Sequence, residues 1–379
     1  MNAVTPPTAA LPPARYIMIG GFLGAGKTTA VAQLARRLRD QGLRVGLITN
    51  DQGNELVDTA MLASQGFAVE EIAGGCFCCR FNSLLEAARS LSATTRPEVF
   101  IAEPVGSCTD LVATVTYPLR RIYGDEFTVA PLSVLLDPVR ALRIFGLAEG
   151  GRFSEKVLNI YKKQLEEADL IVINKTDLVA PELLGALRQT LAENFPRAAL
   201  MEVSARHGAG LEPWFARITS TDQIACAIMP VDYDTYAEGE ALLGWLNATV
   251  RVTARAPLDG NALLQTLAAE IQRRLNAGGA EVAHFKMTLD PENSFGDLGV
   301  INLVRNDAPA ELSQPLSDPL ETGGIIINLR AEAAPEFLRA AVADGVAAAS
   351  AAIAGLSLAL EHLEHFRPGR PVPTHRVTT

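Results

Sequence analysis

The sequence predicts an α/β fold, a mostly parallel sheet with helices on both faces, followed by a smaller α+β C-terminal domain. Three observations carry this. Gly21-Phe22-Leu23-Gly24-Ala25-Gly26-Lys27-Thr28 stands between a short apolar run, Tyr16-Ile17-Met18-Ile19, and a segment with apolar residues at helical spacing (Val31, Leu34, Ala35, Leu38). Leu170-Ile171-Val172-Ile173 runs straight into Asn174-Lys175-Thr176-Asp177. Between these landmarks, and on to about residue 218, short apolar runs alternate with helix-period stretches, as parallel βα units require.

The first motif has the P-loop form: two glycines separated by four residues, then Lys-Thr, in a strand–loop–helix setting. It places the sheet in the P-loop NTPase type. A phosphate needs several N–H donors converging on it, and such a loop wraps its backbone around that point while the helix N-terminus adds partial positive charge. Gly21, Gly24, Ala25, Gly26, Lys27, Thr28 and Thr29 are the expected cradle. Lys27 would reach the β- and γ-phosphates, and the Thr28 hydroxyl would hold Mg²⁺.

Taken in order, the second strand is Arg44–Thr49, ending in the polar turn Asn50-Asp51-Gln52-Gly53-Asn54-Glu55, a candidate γ-phosphate-responsive switch. A short strand, Val69–Ile72, leads into Gly74-Gly75-Cys76-Phe77-Cys78-Cys79-Arg80 and a helix from Phe81 to Leu91. Glu98–Glu103 reads as a buried strand ending in a carboxylate. In that position Glu103 would act on Mg²⁺ through a water or on the nucleophilic water, and Gly106 would offer its N–H near the γ-phosphate. Helix 110–123, strand 131–137 and helix 153–168 follow.

The second motif speaks to the base. Asp177 can accept hydrogen bonds from both N1–H and the 2-amino group of guanine, and adenine, lacking both donors, would strand a buried carboxylate. Lys175 would pack along the base, Asn174 would brace the loop, and Ser204-Ala205 would supply a backbone N–H to the guanine O6. The expected nucleotide is GTP. Helix 182–195, strand 199–203 and helix 212–218 close this domain.

Residues 1–14 read as a disordered leader, 15–218 as the nucleotide domain, and 219–240 as a linker. The C-terminal domain, 241–366, reads as strands 246–254, 282–289, 299–304 and 324–329 with helices 262–275 and 335–363, an antiparallel sheet being the default. Residues 367–379 read as a disordered tail. In a chain of 379 residues, 48% hydrophobic and 20% charged content suit a globular protein with a full core. A net charge of −10 argues against nucleic acid as primary partner. With no bilayer-length apolar run, a cytoplasmic location off the membrane is expected.

Of five cysteines, three crowd into Cys76-Phe77-Cys78-Cys79. That is a poor disulfide framework and points to metal or redox chemistry. Thiolates suit Zn²⁺ or another transition metal, and Gly74-Gly75 ease the sharp turn that brings them to one ion. Asp51, Glu55, a water or a client residue is the candidate fourth ligand. A structural zinc site and simple buried thiols are the alternatives, and Cys108 and Cys226 read as isolated structural thiols.

The P-loop, the Cys-Phe-Cys-Cys run, Glu103-Pro104-Val105-Gly106 and Asn174-Lys175-Thr176-Asp177 occur in the order that resembles the CobW-like GTPases of the CobW/HypB/UreG group, over roughly residues 15 to 218. The resemblance implies GTP hydrolysis coupled to delivery of a metal, or of a metal-containing cofactor such as cobalamin, to a client metalloprotein. An alternative is a GTP-driven chaperone that loads or reactivates a cobalamin-dependent enzyme without carrying free metal. Turnover is expected to be slow without a partner, which a client or a homodimer would supply. The chain departs from the family in two places. The switch reads Asn50-Asp51-Gln52-Gly53 where the family usually has Asn-Glu-Phe-Gly, and the C-terminal domain is divergent. A small-molecule kinase is a third reading, opposed by the guanine motif.

Overall fold

The computed structural model describes residues 12–52, 57–224, 228–292 and 296–378. The first half alternates as the sequence suggests. In chain order it runs β1 (Ala14–Gly21), α1 (Lys27–Asp40), β2 (Val45–Asn50), α2 (Val57–Ser64), β3 (Ala68–Ile72), α3 (Phe81–Thr94) and β4 (Val99–Glu103). A π-helical turn, Val112–Thr116, then runs into α4 (Tyr117–Ile122), followed by β5 (Phe127–Val129), β6 (Ser133–Leu136), α5 (Pro138–Ile144) and α6 (Glu155–Glu167). Next come β7 (Leu170–Ile173), α7 (Pro181–Asn194), β8 (Ala199–Glu202), α8 (Leu211–Ser220) and α9 (Tyr233–Leu242).

The strands lie in the order β3-β2-β4-β1-β6-β7-β8, every neighbouring pair parallel, with β5 also beside β1. Such a sheet must be covered on both faces, and β1 shows how. Ile17 and Ile19 join the core beneath α1, while Tyr16 and Met18 join the core on the opposite face. Parallel strands put all their carboxyl ends on one edge, so the P-loop, the end of β2, Glu103 and Asn174 converge there.

The second half is β9 (Leu243–Leu258), α10 (Gly260–Ala277), β10 (Glu281–Pro291), β11 (Gly299–Leu303), β12 (Glu311–Gln314), β13 (Leu320–Glu332), α11 (Pro335–Ala352) and β14 (Leu356–Phe366). These strands make an antiparallel sheet in the order β12-β11-β10-β13-β9-β14. α10 and α11 cover one face, with Leu267, Ile271 and Val342 fully buried against Phe285 and Ile327.

Three sequence expectations need correction. The helix expected over 335–363 stops at Ala352; Gly355, at φ 78°, turns the chain, and 356–366 pairs along β9 as β14. Leu356, Leu358 and Leu360 alternate with Ser357 and Ala359, a period of two that the run of alanines before it disguises. The expected linker carries α9, capped by the Asp232 carboxylate on the Asp234 N–H, with Tyr236 buried and its hydroxyl on Ser107 O at 3.1 Å. The tail expected to be disordered is bound. Thr374 N–H donates to Cys78 O (2.8 Å), Val377 N–H to Ala113 O (3.0 Å) and Arg376 Nε to buried Asp110 (2.7 Å). Its prolines favour an extended chain whose remaining N–H groups face outward to such acceptors.

One buried carboxyl organises the loop after β4. Glu167, at the end of α6, accepts from Val112 N–H (3.1 Å) and the Thr109 hydroxyl (3.3 Å). Burial, helped by the charge of Asp110, pushes it up to about 8 from an ordinary 4.5. A folded value above the unfolded one means that the stability held by the neutral form is complete below about 4.5 and lost as pH rises through about 8. Denaturant unfolding should therefore show wild-type stability falling over this window, by at most about 1.4 kcal/mol per pH unit for one group. Glu167→Gln should flatten that slope.

Candidate functional site

The carboxyl edge of the parallel sheet opens into a cavity of about 760 Å³, lined by the P-loop, Asn174, Lys175, Asp177, Ser204 and Ala205. The loop conformation demands its glycines. Gly21 has φ 130°, and a Cβ there would drive into the Leu135 carbonyl; Gly26 has φ 90°, and a Cβ would meet the Asn174 amide. Gly24, Ala25 and Thr29 lie where expected, Gly24 at φ 77° and Ala25 buried.

Asn174 is the brace of the base side. It is 1% exposed, donates to Ala25 O at 2.9 Å and accepts from Ala205 N–H at 2.9 Å, so it ties three loops together. Of the backbone N–H groups of Ser204-Ala205, one of which was expected at the guanine O6, that of Ala205 is engaged by Asn174 and that of Ser204 by Ala209 O at 2.9 Å. Lys175 takes φ 56°, a left-handed conformation of the kind strained backbone shows at functional sites. Its ammonium bridges Gly24 O (2.7 Å) and the buried Asp137 carboxylate (2.8 Å). The Ser204 hydroxyl donates to the Asp177 carboxylate.

On the phosphate side, the Thr28 hydroxyl meets Asp58 at 2.7 Å and Glu103 at 3.1 Å. Lys27 is buried alongside, its ammonium 3.4 Å from Phe22 O, and burial lowers its pKa. Gly106 lines the same cavity and packs so closely on Leu23 that a Cβ would fall within 2.8 Å of its side chain. The C-terminal sheet closes this side. Lys286 of β10 forms an ion pair with Asp58 and approaches the Thr28 hydroxyl at 3.4 Å. Burial opposes charge on Asp58, yet Lys286 and its hydrogen bonds hold that carboxyl below its ordinary value. Burial, reinforced by Asp58, raises Glu103 to about 7, and burial keeps His284 neutral well below its usual range. Glu103 Oε2 and His284 Nε2 have no hydrogen-bond partner among the described residues.

The sequence reading missed Asp58, Asp137, His284 and Lys286. Asp137 carried a signal, being a strand-end acid like Glu103. Asp58 lies at the end of the expected switch segment. The two β10 residues carried none, since nothing local marks a strand that packs across a domain boundary.

The cysteine loop lies behind this cavity. The thiols of Cys76, Cys78 and Cys79 stand within 4.8 Å of one another, separated by 2.7, 3.4 and 3.6 Å. A tetrahedral zinc with bonds of about 2.3 Å sets its sulfurs about 3.8 Å apart; the two separations to Cys79 come near that value, and the Cys76–Cys78 pair would open by about 1 Å around such an ion. Gly74 and Gly75, at φ 74° and 150°, make the turn. Hydrogen bonds from the Cys108, Cys78 and Cys79 thiols pull Cys76 well below the usual thiol range. Cys108 is buried in the same apolar cluster as Cys76 and Cys78, outside the group of three thiols. Cys226 and Glu55 lie outside the described residues. Asp51, the candidate fourth ligand, is instead engaged by buried Arg330 of β13, at 3.1 and 3.2 Å. Asn50 links the two sites: it lines the nucleotide cavity and donates to Ile72 O (2.9 Å) and Gly75 O (2.6 Å).

Residues 15–202 match the family model described as "CobW/HypB/UreG, nucleotide-binding domain". That match covers just under half of the 379-residue chain. Among curated relatives, the zinc chaperone YeiR of Escherichia coli is 31% identical over 48% of this chain and 52% of its own length. A zinc chaperone CobW of Sinorhizobium is 30% identical over 50% of this chain and 58% of its own. The chain thus spans little more than half of each relative. A crystal structure of Zn(II)-bound YjiA GTPase from E. coli aligns over 88% of this chain and 99% of its own, at 16% identity and a TM-score of 0.38. Among the described residues, no helix is long and apolar enough to cross a membrane.

Asn174→Ala would leave the Ala25 carbonyl and Ala205 N–H buried without their partner. An unsatisfied buried group costs about 1–3 kcal/mol. Thermal denaturation without added nucleotide should show a loss of about 2 kcal/mol or more.

Proposed function

We propose that the protein is a GTP-hydrolysing metallochaperone that carries Zn²⁺ on Cys76, Cys78 and Cys79 and passes it to a client metalloprotein. The observation that carries this reading is the thiol trio set one strand-turn from a guanine-type nucleotide cavity and linked to it through Asn50. The zinc chaperones among its relatives support zinc as the cargo. Three protein thiolates with an exposed flank suit an ion that must leave again, because closed four-ligand sites serve structure.

In this reading Asp177 and Ser204 select guanine, Asn174 and Lys175 hold the base loop to the P-loop, and Lys27 and the loop N–H groups bind the β- and γ-phosphates. The oxygens of Thr28, Asp58 and Glu103 fit Mg²⁺, since a cation, the Lys286 ammonium, already stands among them. Mg²⁺ supplies charge neutralisation to the phosphates when bound. Glu103 orients the water that attacks the γ-phosphorus, giving GDP and inorganic phosphate, and the Gly106 N–H registers whether that phosphate is present. Its loss releases Asp51 and Asp58 and the 103–110 segment, and loosens the thiols.

The test is a Zn²⁺, Co²⁺ and Ni²⁺ titration of the reduced protein, with and without a non-hydrolysable GTP analogue and Mg²⁺. Tight binding that requires the three thiols and shifts with nucleotide is expected. Binding that is indifferent to a Cys76/Cys78/Cys79→Ala variant would overturn the reading. Separately, Lys286 must yield its place to Mg²⁺. In a fluorescent GTP-analogue assay, Lys286→Met should lower the Mg²⁺ concentration for half-saturation roughly tenfold, the equivalent of about 1.4 kcal/mol.

A further inference from the structure

His284 lines the nucleotide cavity, is 9% exposed, and has no hydrogen-bond partner for Nε2 among the described residues. It comes from β10 of the C-terminal sheet, not from the nucleotide domain. The strand is shaped to present it. Val282 and Phe285 lie in the core beneath α10 and α11, whereas Ala283 joins the core of the nucleotide domain. The register of β10 on β13 shifts between Val282 and His284. Such a bulge re-aims the side chain that follows it, a device found beside active sites. It puts Ala283 and His284 together on the face that Lys286 shares. That face is pinned against the phosphate side at three points. The Ala283 carbonyl accepts from Arg140 at 3.3 Å, and a Cβ on Gly24 would stand 3.1 Å from it. Lys286 pairs with Asp58, and Arg330, directly opposite His284 on β13, pairs with Asp51. His284 therefore stands between two anchored cations, with its own Nε2 left over.

A buried imidazole nitrogen without a partner is costly, and protein interiors rarely keep one without a reason. The reason lies in what enters the cavity. Lys27, Thr28, Glu103 and Gly106 line it together with His284. Lys286, two residues further along the same strand, approaches the Thr28 hydroxyl at 3.4 Å, so β10 runs along the phosphate end and not the base end. Mg²⁺ is a poor partner for an imidazole, because it prefers oxygen ligands. A phosphate oxygen suits one, since a neutral imidazole can carry its proton on Nε2 and donate. The P-loop N–H groups enclose the β-phosphate, which leaves the γ-phosphate facing the C-terminal sheet. We propose that His284 donates a hydrogen bond to a γ-phosphate oxygen of GTP, so that the C-terminal domain itself distinguishes GTP from GDP. This rests on the GTPase reading and deepens it. The nucleotide domain alone would then bind either nucleotide, and the docked sheet adds the contact that only GTP completes.

The test is calorimetric binding of GDP and of a non-hydrolysable GTP analogue, each with Mg²⁺, to the full-length protein. Wild type is compared with His284→Leu, His284→Ala and His284→Gln. Leucine and alanine should each weaken the GTP analogue roughly tenfold, the worth of one hydrogen bond to a charged group. GDP affinity should be unchanged, which also reports that the variants are folded. Glutamine keeps an N–H donor and should recover most of the preference for the GTP analogue. An equal loss for both nucleotides in the leucine and alanine variants, or no loss for either, would overturn the role of His284. The GTPase reading would survive that outcome, because wild type would still bind both nucleotides. Failure of wild type to bind either one would remove both.

Discussion

Two cations from the C-terminal sheet grip the two ends of one segment of the nucleotide domain. Arg330 holds Asp51 just past β2, and Lys286 holds Asp58 at the start of α2. Both contacts are largely withdrawn from water, where an ion pair is expensive to form and costlier still to break by removing one partner. Arg330 is 1% exposed and also stacks over Trp245 at 4.1 Å. In the opposite direction Arg140, from the nucleotide domain, reaches the Val282 and Ala283 carbonyls of β10 at 3.3 Å. The boundary is therefore cemented by buried charge, and neither Asp51 nor Asp58 can shift without disturbing a contact to the C-terminal sheet. That constraint turns a divergent second domain into part of the nucleotide site.

This also explains which features were legible in the sequence. The P-loop, Glu103 and Asn174–Asp177 could be read because each is a local pattern, a strand followed by a loop whose residue types follow from its chemistry. The cysteine run was legible for the same reason. Asp51 looked like a metal ligand because carboxylates near thiols suggest one; only the far strand bearing Arg330 shows where its charge is spent. Lys286 and His284 sit in an ordinary alternating strand, and their place beside Thr28 is decided by the docking of two sheets. The α11–β14 boundary failed for a local reason, the high helix propensity of the alanines overriding a period-two pattern that begins only after Gly355.

The tail belongs to the same economy of contacts. Val372 N–H points at the Cys79 sulfur at 3.2 Å, and Thr374 engages the carbonyls of Cys78 and Cys79. The half-buried thiol of the trio is thus the one that the chain's last segment reaches. Backbone donors aimed at a sulfur stabilise its thiolate over its thiol, so the strap acts on Cys79 through that contact.

If nucleotide and metal are bound as proposed, their coupling has a physical route and a required symmetry. Asn50 joins the end of β2 to the Gly75 carbonyl, and Gln164 joins Gly106 to Cys108. The first link joins the phosphate side to the turn that precedes the thiols, and the second holds the loop that carries Gly106. Linkage demands that whatever free energy nucleotide adds to metal binding, metal adds to nucleotide binding. A carrier emptied of zinc would then hold GTP differently from a loaded one. Arg330 and Lys286 hold Asp51 and Asp58 on the phosphate side of that route, so the C-terminal sheet is joined to it through two ion pairs.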